Sequence, residues 1–130
     1  MKSYDCEFDI IIFEIKKCLI IPIKYDLYDA YLEQLRVQLL KRIVNSTIKG
    51  VIIDFSSVKL IDSLNFQAII ELCKMIRLLG KETVIIGLQP TVTAALQEFT
   101  GLNFNRVNTF LNLKLAIRFL EQLKVTEIGS

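Results

Sequence analysis

No histidine occurs among the 130 residues, so the commonest general base and metal ligand is missing. Only five glycines are present, and none falls in a Gly-x-Gly-x-x-Gly or Walker-type loop, the arrangements that cradle phosphates. The three cysteines, Cys6, Cys18 and Cys73, have no Cys-x-x-Cys spacing. That argues against a zinc site or dithiol redox work, and an odd number of thiols suits a reducing compartment. No apolar run approaches the eighteen residues needed to span a bilayer. Ile10-Ile-Ile-Phe13 is cut by Glu14, and Leu19-Ile-Ile21 is flanked by Lys16, Lys17 and Lys24. The opening Met1-Lys-Ser-Tyr-Asp-Cys-Glu7 lacks the apolar core of a signal peptide. Sixteen basic and fourteen acidic residues give a net charge of +2, and residues 1–65 carry nine of each sign. No basic run interleaved with aromatics offers a nucleic-acid footprint. The expectation is a cytoplasmic protein with no metal, no cofactor, no nucleic-acid partner and no membrane span.

What is present is apolar patterning: 52% hydrophobic against 23% charged residues, in a chain of single-domain length. Phe8–Ile15 and Cys18–Ile23 read as two strands joined by a tight turn at Lys16-Lys17. Pro22, which cannot donate to a ladder, suggests that the second lies near an edge. Leu27, Tyr31, Leu35, Leu39 and Ile43 recur every four residues, an amphipathic helix with Asp26 near its start. Val51–Asp54 reads as a strand and Thr83–Ile86 as a buried strand. Pro90 suits the first turn of a further helix carrying Val92, Ala95, Leu96 and Phe99 and ending at Gly101. A weak strand at Asn105–Val107, a helix from about Leu111 to Lys124, and a frayed tail from Val125 to Ser130 complete the reading. Strands alternating with helices after a hairpin predict an α/β domain with a mixed sheet and about four helices, its ordered core spanning roughly residues 8–124.

Between the strand ending at Asp54 and a helical pattern opening at Leu64 lies Ile61-Asp62-Ser63, an acid and a hydroxyl at a strand-to-helix turn. The plain reading is a helix N-cap, since Asp and Ser are both preferred caps. The other reading is a phosphoacceptor: the first helical N–H groups lack partners and the dipole favours negative charge. The surrounding Val51-Ile-Ile-Asp-Phe-Ser-Ser-Val-Lys-Leu-Ile-Asp-Ser63 resembles the signature of STAS domains, the fold of bacterial anti-sigma-factor antagonists. Gly87-Leu-Gln-Pro-Thr-Val-Thr-Ala-Ala-Leu-Gln-Glu-Phe99 resembles the corresponding segment of RsbS-type stressosome scaffolds. The resemblance runs from about Ile10 to Leu123. After Asp62-Ser63 the chain has Leu64-Asn65-Phe66, where sporulation-type antagonists have a small residue and a glycine; stressosome members also lack that glycine.

The resemblance implies a single STAS domain over residues 1–130. It also implies a non-enzymatic stressosome scaffold that sequesters a switch serine kinase until Ser63 is phosphorylated, with Asp54 and Asp62 as motif neighbours. The implied partners are that kinase, a sensor-bearing STAS paralogue and a phosphatase, within a homo- or hetero-oligomer. Few residues precede the first strand, which suits the sensorless member. Some relatives carry a threonine about five residues after the Gln-Pro proline, where this chain has Ala95. Thr91 and Thr93 are near but out of register, and Thr91 suits helix-start hydrogen bonding. One rival is a conventional antagonist binding an anti-sigma kinase as a monomer or dimer. Another, of a different class, is a nucleotide- or lipid-binding module, against which the missing glycine-rich cradle counts. Asp54 and Asp62 are conceivable as an acid–base pair, but a strand-end aspartate more commonly caps loop N–H groups. Lys59 and Lys81 are candidates for neutralising an anion near the loops.

The helix after Ser63 carries an anomaly. Leu64, Ala68, Leu72, Met75, Ile76 and Leu79 form one stripe, expected to face the core and to be closed by Gly80. Phe66 and Ile70 then fall on the opposite side with Cys73 and Arg77. Either another element covers this side, or the two are tolerated single exposures, or they form a partner surface beside Ser63.

Overall fold

A computed structural model describes residues 9–24, 29–44, 46–58, 63–94 and 108–129, without the side chains of residues 63, 65 and 124–129. Its centre is three consecutive parallel strands, β2 (Cys18–Pro22), β3 (Gly50–Asp54) and β4 (Glu82–Ile86). Short edge strands flank them: β1 (Phe13–Ile15), antiparallel to β2, and β5 (Asn108–Phe110), parallel to β4. The order β1-β2-β3-β4-β5 makes one mixed sheet. β2, β3 and β4 are nearly continuous Val and Ile because both of their faces are covered. Leu19, Ile21, Val51, Ile53 and Ile85 point to one side, where α1 (Asp29–Ile43) and α2 (Ser63–Leu78) pack. Cys18, Ile20, Ile52, Val84 and Ile86 point to the other, under α4 (Leu113–Gly129). A helix opening after β4, α3, is described over residues 90–94. No helix among the described residues is long and apolar enough to cross a membrane.

The α1 stripe is as predicted: Tyr31, Leu35, Leu39 and Ile43 are buried. Asp26, Leu27, Ala95, Leu96, Phe99 and Gly101 lie outside the described residues. β2 lies near an edge as expected, second in the sheet, and Pro22 is tolerated because β1 pairs only as far as Ile20, leaving it beyond the shared ladder. Several other expectations need correction. Of the long first strand, residues 9–12 are not strand, and pairing begins at Phe13. The last strand is Asn108–Phe110, whereas residues 105–107 lie outside the described set. α4 starts at Leu113, with Asn112 Oδ1 accepting the Leu115 N–H at 3.0 Å, a side-chain N-cap. Its backbone continues to Gly129, through the segment expected to fray.

α2 corrects the wheel reading. Phe66 is fully buried and Ile70 nearly so, among Ile69, Cys73 and Ile76. The Phe66 ring meets Phe55 at a centroid distance of 5.8 Å. The expected core stripe instead turns outward, with Leu64 76% and Leu79 46% exposed; of that stripe Leu72 and Ile76 are buried. Both faces are apolar, so composition could not choose between them. Phe66, Ile69, Ile70, Cys73 and Ile76 are the buried set because α2 lies with that side over Ile53, Phe55 and Ile85. Gly80, at φ +87°, closes the helix as expected, its N–H bonded to the Arg77 carbonyl at 2.9 Å.

Candidate functional site

The site lies at the C-terminal ends of the parallel strands, where α/β sheets commonly place their ligands. Pro22, Asp54 and Ile86 are aligned in register there. Asp54 turns the chain. Its Oδ1 accepts the Ser56 N–H at 2.8 Å and the Ser56 hydroxyl at 2.5 Å, an Asx-type turn that satisfies the N–H groups leaving β3. The Phe55 N–H donates to the Ile86 carbonyl, and the Val58 N–H to the Phe55 carbonyl. Residues 59–62 are outside the described set, so Lys59 and Asp62 receive no structural account. The α2 backbone opens at Ser63.

Gly87 ties the second motif segment to the first. It has φ +81°, and a Cβ placed there would lie 2.6 Å from Ser56 N and 2.9 Å from Asp54 Oδ1. Glycine is therefore needed for both backbone conformation and close approach. The two stretches that carried the resemblance meet at this point. In the sequence the only sign of this role is a glycine placed directly after a buried strand. Beyond it, Thr93 rather than Thr91 shows the local hydrogen bond, its hydroxyl donating to the Gln89 carbonyl at 3.3 Å, while Thr91 is exposed.

Phe66 and Ile70 belong to the core beneath this site and not to a surface beside it. Lys81 stands at the opposite pole of the sheet, donating to the Ile48 carbonyl at 2.9 Å, and is remote from these loops. Burial pushes the Cys73 thiol up to about 12 and raises Cys18 as well, so both stay protonated and unreactive near neutrality. Among the described residues no cluster of carboxylates and thiols could hold a metal ion.

The STAS domain profile matches residues 9–116. A structure of a serine-to-glutamate variant of RsbS from Moorella thermoacetica is similar at TM-score 0.76 and 29% identity, over 88% of this chain and 97% of that one. A structure of the stressosome, described as a signal integration and transduction hub, is similar at TM-score 0.76 and 30% identity, over 88% of this chain and 98% of that one. The anti-sigma factor antagonist SpoIIAA in its unphosphorylated form shares the fold at TM-score 0.67 and 16% identity, over 88% and 97% of the two chains. No curated protein matches the sequence. A profile covering most of the chain, together with a mixed five-stranded sheet and four helices among the described residues, makes this chain a member of the STAS domain family.

Proposed function

We propose that this protein is a non-enzymatic regulator of the stressosome type, which holds a switch serine kinase and releases it when Ser63 is phosphorylated. The observation that carries the reading is the position of Ser63: it is the residue at which α2 opens, after the loop leaving the C-terminal end of β3. Backbone N–H groups at a helix start lack intrahelical partners and favour a phosphate. The start of that loop is fixed by Asp54, which accepts the Ser56 N–H, and by the Phe55 N–H bond to the Ile86 carbonyl. Likeness to stressosome proteins at 29–30% identity supports this type over the conventional antagonist, for which only the fold speaks. The partners on this reading are the kinase, a sensor-bearing STAS paralogue and a resetting phosphatase, in a cytoplasmic oligomer.

A phosphoryl group adds about −1.5 to −2 charges at pH 7, beside a surface matched to a neutral hydroxyl. Burying that charge on association costs several kcal/mol or separates the partners. Kinase affinity is therefore expected to be highest for the unmodified protein and Ser63→Ala, lower for Ser63→Asp, and lowest for the phosphorylated form. Peptide mapping after incubation with kinase and ATP, followed by calorimetric titration of each form, tests this order. Label confined to Thr91 or Thr93, or equal binding by modified and unmodified protein, refutes it.

A further inference from the structure

The outer face of α2 carries an apolar ridge among the exposed Gln67, Glu71, Lys74 and Arg77. Leu64 is 76% exposed, Leu78 87% and Leu79 46%, with Ala68 and Met75 half-buried between them. A single exposed leucine needs no explanation. These residues recur at spacings of three, four and seven, so they form a continuous ridge about 20 Å long at 1.5 Å per residue. A ridge of that length goes beyond scattered single exposures and marks a contact surface.

Beside the ridge runs a groove of about 290 Å³ between α1 and α2, floored by Leu32, Ala68, Leu72 and Met75. Its charged lining is Asp29, Glu33, Glu71 and Arg36, which leaves two net negative charges. Arg36 is held by Glu33, and Lys74, outside the groove, holds Glu71 at 3.3 Å. All four side chains are more than a third exposed, so these pairs are weak and open to exchange.

We propose that the α1/α2 groove docks a cationic amphipathic helix of a partner protein. Apolar residues at helical spacing on that helix would lie along Leu64, Ala68 and Met75, and flanking Lys or Arg would meet the three carboxylates. A second copy of this face fits poorly, because it would bring the same carboxylates against one another. The contact is short, so the interface is small. The inference does not depend on phosphorylation of Ser63.

The test uses the full chain, ¹⁵N-labelled, titrated with a designed 18-residue helix carrying Leu along one face and Lys on its flanks. Saturable shifts should concentrate around Leu32, Ala68 and Met75, and affinity should fall several-fold between 50 and 300 mM salt. The same helix with Glu in place of Lys should bind at least tenfold more weakly. Glu33→Lys with Glu71→Lys should cost at least tenfold, whereas Glu14→Lys on the distant edge strand should not. Equal binding of the Lys and Glu helices overturns the proposal whatever the variants do. So do shifts centred elsewhere, or no binding at all. A concentration-dependent dimer in sedimentation that Leu78→Ser abolishes also overturns it, by assigning the ridge to a second copy.

Discussion

Replacing Gly87 by alanine should be far more damaging than replacing Gly80, although both residues have positive φ, +81° and +87°. Forcing an L-residue into the left-handed region costs about 1–2 kcal/mol at either position. At Gly80 nothing lies within 4 Å of the added Cβ, so the conformational cost is the whole effect. At Gly87 the Cβ would sit 2.6 Å from Ser56 N and 2.9 Å from Asp54 Oδ1, two atoms that are themselves bonded at 2.8 Å. Ser56 N is backbone and cannot swing aside, and the Asp54 carboxylate is pinned by its bond to it, so the turn must open. The Asp54 bonds to the Ser56 N–H and hydroxyl are then lost, at about 1–1.5 kcal/mol each given their exposure. The expected loss is about 3–5 kcal/mol for Gly87→Ala against about 1–2 for Gly80→Ala, from totals of about 5–15 kcal/mol for domains of this kind. In a domain of this length the gap corresponds to a melting-temperature difference of roughly 6–15 °C. Urea and thermal unfolding followed by circular dichroism measure it. Equal losses at the two glycines would refute the reasoning, because the conformational term alone would then account for both.

Phe66→Ala should cost about 3–5 kcal/mol and Leu64→Ala less than about 0.5 in urea titrations, since one side chain fills the core and the other faces solvent. The reverse order would restore the outward Phe66 face that the structure excludes. Thr83→Val should be neutral or stabilising by up to about 1 kcal/mol, because Thr83 Oγ1 is buried with no hydrogen-bond partner among the described residues; a large loss would mean that the hydroxyl is engaged. The folded Cys73 thiol keeps its proton up to about pH 12, whereas an unfolded one loses it near 9. Between those values the native state holds more protons, so stability should fall with rising pH by up to about 1.4 kcal/mol per unit. Subtracting the pH profile of Cys73→Ala isolates this slope; identical profiles would contradict it.

The sequence by itself determined the α/β class, the α1 stripe and the existence of the strands β2, β3 and β4. A period of four in Tyr31, Leu35, Leu39 and Ile43, and unbroken Ile/Val runs, are each compatible with one burial geometry only. Asp54 as a turn-former and Gly80 as a helix terminator were legible for the same reason, since each acts within a few residues of itself. Short edge strands were less legible: three residues carry too little periodicity to fix their ends, and β5 appeared downstream of its expected place. Which face of α2 is buried could not be read locally, because Leu64 and Phe66 sit on opposite sides and are equally apolar. The position of α2 over Ile53, Phe55 and Ile85 decides it. The contact of Gly87 with Asp54 and Ser56 likewise joins residues more than thirty apart in the chain. Only the parallel pairing of β3 with β4 brings them together, by setting their C-terminal ends side by side.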